Sequence, residues 1–331
     1  MIRYSSMLFV GILLVALTIP INAIAGKLVW PPHPDEPRIE YVGEILCKDL
    51  RAGSGFFSKI TNFLSGKNQD DLIRLPYDVI VVKDKMYLTC QGIPALIEVD
   101  LSDNSFSKHH NKKNPFGFPL CLCLGNDGTI FITDGETRSV YEFADGEVRP
   151  FITDGLSRPT GISANVEKER LYIVDTGDHD LKIFDFDGEL IRTVSEHLTT
   201  EDKFHFPTHV STTIGNNILV TDALNYKIKR FDSDGHLISS FGEEGDGPGT
   251  FSRPKGVASD SEGNVYVIDN LFDNLQIFDS TGRFLLVIGS VGSQTGQFYS
   301  PSGVAITNDT VYIADTYNDR IQILHFLGCP K

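Results

Sequence analysis

Arg253-Pro254-Lys255-Gly256-Val257-Ala258 leads through a turn at Ser261-Glu262-Gly263-Asn264 into Val265-Tyr266-Val267-Ile268-Asp269. The stretch continues through Leu275-Gln276-Ile277-Phe278-Asp279, and Gly282 then starts Arg283-Phe284-Leu285-Leu286-Val287-Ile288. Four short runs rich in β-branched and aromatic residues, each bounded by turn formers, read as four strands.

Registered on its proline, the same unit recurs at Pro76, Pro119, Pro159, Pro207, Pro254 and Pro301, at spacings of 43, 40, 48, 47 and 47 residues. The second run of each copy ends on Asp134, Asp175, Asp222, Asp269 and Asp315 in the last five copies, and on Cys90 in the first. A period near 45 with four strands per copy predicts propeller blades, since a lone four-stranded unit cannot cover its own apolar faces. The fold class is therefore all-β, a six-bladed β-propeller.

The sixth copy has only three runs before the chain ends, whereas Arg38-Ile39-Glu40-Tyr41-Val42-Gly43-Glu44-Ile45 resembles a fourth run such as Glu189 to Val194. This N-terminal strand is expected to close the ring by pairing with 320–326, which removes an open sheet edge. One insertion, Leu46 to Leu75, breaks the rhythm. Phe56, Ile60, Phe63 and Leu64 fall at helical spacing in it, predicting a short helix near residues 55–65. Its expected role is a cap over one face of the ring; contact of Phe56–Leu64 with a partner or a membrane surface is the other reading.

Residues 1–25 carry Arg3, an apolar core from Met7 to Ile19, Pro20 and a small-x-small site at Ala23-Ile24-Ala25, the pattern of an export signal. The core is short for a membrane span. The mature chain is thus expected to be exported, periplasmic or extracellular, without a transmembrane helix. Residues 26–37, with Trp30-Pro31-Pro32-His33-Pro34, form a stiff Pro-rich arm, read as a spacer ahead of the propeller at 38–331. With the signal removed, 28 basic and 44 acidic side chains remain, a net charge of −16, and no basic run exceeds Lys112-Lys113. Nucleic acid needs a basic stripe and is excluded as a partner.

Five cysteines in an exported chain leave at least one unpaired. Cys90 closes a second strand while Cys121 and Cys123 alternate along the next first strand, so a disulfide from Cys90 to Cys121 or Cys123 is expected, with buried inert thiols as the alternative. The Cys-x-Cys has no matching ligand pair for a metal.

Pro-x-Gly-Val-Ala at 254–258 and 301–305, Tyr-Val-Ile-Asp at 266–269, Tyr-Ile-Ala-Asp-Thr-Tyr-Asn-Asp-Arg-Ile-Gln at 312–322 and Gly-x-Gly-x-Phe before Pro254 resemble NHL repeats. Copies one and two depart from the pattern, with Asp78 and Cys121 where later copies have Gly161, His209, Gly256 and Gly303. The resemblance implies a six-bladed propeller like the bacterial exported NHL-repeat proteins; it implies no reaction, since such folds host binding platforms and enzymes alike.

The repeated aspartates are expected to hydrogen-bond the backbone of turns. Asp185-Phe186-Asp187-Gly188 and Asp232-Ser233-Asp234-Gly235 lack the downstream Glu of a calcium loop and read as hairpins. Amidating lyases of the resembling type hold zinc by histidines from several inner strands, whereas here only His209 begins one, with His205 just ahead of it. No catalytic, metal or cofactor site is assigned. The reading is a non-enzymatic binding or scaffold propeller; a hydrolase or lyase with a divergent metal-dependent site at the axis, using His209 and Asp78, is the alternative. Loops of one face, bearing Arg138, His179, His209, Tyr226, Phe272 and Tyr317, are expected to dock a protein or peptide.

Overall fold

The structure, a computed structural model, describes residues 27–32, 34–52 and 73–328. The signal segment, the helix expected near 55–65, and Cys329 lie outside the described residues. Six sheets surround one axis, each running outward from an innermost first strand through antiparallel second, third and fourth strands: residues 76–109, 119–152, 159–193, 207–241 and 254–288 form blades one to five, and Arg51–Ala52 adds a short parallel strand outside blade one. Blade six is built from both ends of the propeller, with 304–326 supplying three strands and Ile39–Leu46 the fourth. Ile39 lies opposite Phe326 and Leu46 opposite Arg320, the expected closure. The arm folds back on it, since Val29–Trp30 pairs with Glu40 and Ile39. No described helix is long and apolar enough to cross a membrane.

Period-two alternation gives every middle strand two buried faces, so apolar clusters lie between neighbouring blades. Met86, Leu88, Cys90 and Ile97 of blade one pack with Ala314 and Ile321 of blade six. Leu122, Ile130 and Ile132 of blade two meet Leu96 of blade one.

A ring of side-chain bonds locks the junctions near the axis. In turn, Thr89 donates to the carbonyl of Leu120, Thr133 to Thr160, Thr176 to Pro207, Thr221 to Lys255, Asn270 to Pro301 and Thr316 to Pro76. All six junctions are spanned by a group from the end of one second strand, or the turn after it, reaching the next first strand. Buried first-strand carbonyls thereby find donors.

The repeated aspartates are fully buried, and each accepts from the connection that enters its own blade. Asp269 takes N–H donors from Ser252, Arg253, Leu271 and Phe272. Asp134 serves Gly117, Phe118, Glu136 and Thr137 in the same way. Asp175 and Asp222 add buried ion pairs to Lys182 and Lys229, each at 2.8 Å, and Asp315 binds Arg320 at 2.7 Å. One carboxylate thus staples two loops, a wider role than bonding its own turn. Blade one ends on Cys90 instead, and Leu75 N donates to Asp319 of blade six at 2.7 Å.

The expected disulfide is not formed: Cys47, Cys90, Cys121 and Cys123 are free and buried. Strand alternation explains the outcome. Thr89 points toward blade two, so Cys90, one residue on, faces the cluster shared with blade six, while Cys121 and Cys123 face the cluster shared with blade three.

Candidate functional site

The residues two positions after each proline, Asp78, Cys121, Gly161, His209, Gly256 and Gly303, form the neck of the axis. Inner strands touch there, with Gly303 N donating to Tyr77 O at 2.8 Å and Gly256 N to Ser302 O at 3.0 Å. A Cβ on Gly303 would lie 2.3 Å from Asp78 Oδ1, and one on Gly161 2.7 Å from His209 Cα. Glycine at these two places is what lets the strands converge.

A cavity of about 240 Å³ runs along the axis, lined among others by Asp78, Cys121, Ser163, His209 and Thr212. Asp78 Oδ2 accepts from Leu122 N at 3.0 Å, and burial pushes its carboxyl up to about 7 against that bond. His209 is 5 % exposed, and neither ring nitrogen has a hydrogen-bond partner. Burial, then the Lys255 ammonium, lowers the imidazole to about 3, so it is neutral at physiological pH. Its ring stacks on Tyr77, and Lys255 Nζ stands 5.4 Å from the Tyr77 ring centre. Burial and the Arg253 charge bring Lys255 down to about 8. The Cys121 thiol is raised by burial and by Asp78, which keeps it protonated and a poor nucleophile. Among the described residues no three His, Cys, Asp or Glu side chains converge as a metal set would.

The turns between second and third strands emerge on the face where the first strands begin. Arg138, His179 and Tyr226 occupy equivalent left-handed positions in blades two, three and four. Arg138 and His179 are exposed; His179 Nδ1 accepts from Phe206 N at 3.1 Å, and its ring stacks on His205 at 5.7 Å. Tyr226 and Phe272 are partly buried, Tyr226 against the cluster between blades four and five. Tyr317 is exposed and meets Tyr299 edge-on at 5.2 Å. His209 stands apart from these five, sunk in the neck.

Sequence reasoning missed Leu224 and Leu271. With Tyr317 they sit two residues after the stapling aspartate in consecutive blades four, five and six, 46, 54 and 52 % exposed respectively. Phe206 and Tyr299, on the connections into blades four and six, are exposed beside them, and the main chain links the two sets through Leu224 N to His205 O and Tyr317 N to Tyr299 O. The equivalent positions in blades two and three are Glu136 and Gly177. Reading that one column across the repeats would have found the arc.

A profile described as "NHL repeat" matches residues 298–324, which lie in blade six and the connection leading into it. The chain is a six-bladed β-propeller with an NHL repeat in its last blade. No curated protein matches the propeller in sequence. Among solved structures it is similar to virginiamycin B lyase from Staphylococcus aureus, at 15 % identity and a TM-score of 0.58 over 78 % of this chain and 97 % of that one. It is similar also to an auxiliary nutrient binding protein from Bacteroides thetaiotaomicron, at 14 % identity and TM-score 0.61 over 77 % and 70 %. A chain of the nidogen/laminin complex aligns at 17 % identity and TM-score 0.56 over 73 % and 85 %. At these identities the likeness concerns the fold.

Proposed function

We propose that this propeller is an exported, non-enzymatic binding module of the periplasm or cell exterior that presents the loops of its first-strand face to a protein or peptide. The observation that carries the reading is the arc of Phe206, Leu224, Leu271, Tyr299 and Tyr317, all exposed on one side of the ring. Each of its loops is held by a buried aspartate, so little ordering entropy is lost when a partner seats. Aromatic and large apolar anchors on a rigid frame are what protein contact centres use. Arg138 and His179 extend the same face across blades two and three, and Tyr226 and Phe272 lie half-buried on its loops. One structural neighbour is named a nutrient binding protein and another belongs to a nidogen/laminin complex, which supports a binding role for this ring.

The test is a comparison of two variants in partner capture from the exported fraction. Leu224→Ser with Leu271→Ser and Tyr317→Ala should abolish capture, whereas Asp187→Lys with Asp234→Lys on the opposite face should leave it intact. Loss with the second set alone would sink the reading. The alternative, a hydrolase or lyase centred on Asp78 and His209, predicts stoichiometric metal in the purified protein, which elemental analysis decides.

A further inference from the structure

The neck holds a second feature, independent of the apolar arc. Lys255 is half-buried, and among the described residues no carboxylate pairs with its ammonium, which stands over the Tyr77 ring. A cation drawn partly out of water without a counter-charge favours an anion beside it. Close by, stacked on the same Tyr77 ring, His209 keeps two buried ring nitrogens without a partner, a state that calls for a water, an ion or a ligand to complete it. Arg253 bears on the Lys255 charge and Arg158 on the Tyr77 phenol, and both guanidinium groups belong to exposed residues that precede Pro254 and Pro159. Asp78 lines the cavity and accepts from Leu122 N. A chain with a net charge of −15 thus concentrates positive charge at the mouth of its axis.

We propose that the mouth of the axis, between Lys255 and His209 and beside Tyr77, binds a carboxylate group. One ammonium and one neutral imidazole N–H match a single negative charge spread over two oxygens, each of which then receives a charge-assisted or buried hydrogen bond. Arg158 and Arg253 at the rim steer the anion in. The carboxylate can belong to a small free acid or to an acidic residue or C-terminus of a peptide lying over the face.

Titration calorimetry of the full chain with succinate and, separately, with an acidic pentapeptide tests this. Saturable binding of either probe is expected, weakened about ten-fold or more by Lys255→Met and by His209→Phe, which keeps the ring stack but removes both nitrogens. Thermal melts of both variants should be no lower than wild type, showing intact folding. Peptide binding tighter by about ten-fold than succinate assigns the carboxylate to a macromolecular source, and the reverse to a free acid. The triple substitution at Leu224, Leu271 and Tyr317 should leave succinate binding unchanged, so that failure of the docking face and failure of the axial site are told apart. Absence of saturation by either probe up to about 10 mM, or wild-type binding by Lys255→Met, overturns the proposal.

Discussion

Tyr77 of blade one and His209 of blade four, which face each other across the ring, stack over the axis with centroids 6.0 Å apart and planes 26° from parallel. Two rings from opposite blades therefore close the neck that the glycines of blades three, five and six leave narrow.

The polar groups in that neck make stability depend on pH in opposite senses. His209 stays neutral in the native state down to about 3 while an unfolded imidazole takes a proton near 6.5, so its contribution is lost as pH falls between those values. Asp78 runs the other way. Its native carboxyl holds a proton up to about 7 against 3.8 unfolded, so stability present below 3.8 is lost as pH rises through 7. Asp78→Asn, which keeps an acceptor for Leu122 N, should match wild type at pH 4 and exceed it by about 2–4 kcal/mol at pH 8. His209→Phe should shallow the acid limb of the stability curve. Denaturant unfolding across pH measures both, and a wild-type profile in either variant would refute the assignment.

The stapling aspartates should outrank every exposed acid in stability. Asp269→Ala leaves four backbone N–H groups without their acceptor and is expected to cost about 3–5 kcal/mol in urea unfolding. Asp187→Ala, in an exposed hairpin where the bonded group is the backbone N–H, should change stability by less than about 0.5 kcal/mol. Equal effects from the two would show that the staples are dispensable.

The thiols should be silent in the folded protein. Burial raises the Cys47 thiol to about 12 and lifts Cys90, Cys121 and Cys123 as well, so none is a thiolate at neutral pH. A thiol reagent at pH 8 should label Cys47, Cys90, Cys121 and Cys123 only after denaturant is added, as read by peptide mapping. Fast native labelling of Cys121 would contradict the packing of the neck.

Ring architecture was legible because Pro254, Asp269 and their counterparts recur at fixed spacing, and because the run at 38–45 had nowhere to pair except beside 320–326. The role of the aspartates was legible only in kind. That Asp269 would reach back to Ser252 and Arg253 depends on how the connection crosses between blades, which spacing does not encode. The direction of Cys90 was misread for a related reason. Its place at a strand end is visible in the sequence, but which of two neighbouring blades it faces follows from alternation counted from Thr89. The neck was half visible. His209 and Asp78 stood out by replacing glycine, whereas Lys255 looked like an ordinary charge until its neighbours in blades one and four were known.

Closure of blade six by Ile39–Leu46 also joins segments far apart in the sequence. Among the described residues the closing strand is made early, yet its partner at Arg320–Phe326 is made last, so the pairing spans nearly the whole chain. Contacts of that separation carry a large loop-closure cost and slow folding. Until residue 326 has been synthesised, Ile39–Leu46 is an unpaired strand and blade one lacks the neighbour that buries Met86 and Cys90. A prematurely terminated product therefore exposes both a strand edge and an apolar face, the features that draw chaperones and proteases. The pairing of Ile39–Leu46 with Arg320–Phe326 therefore hides the edge and the face in one step.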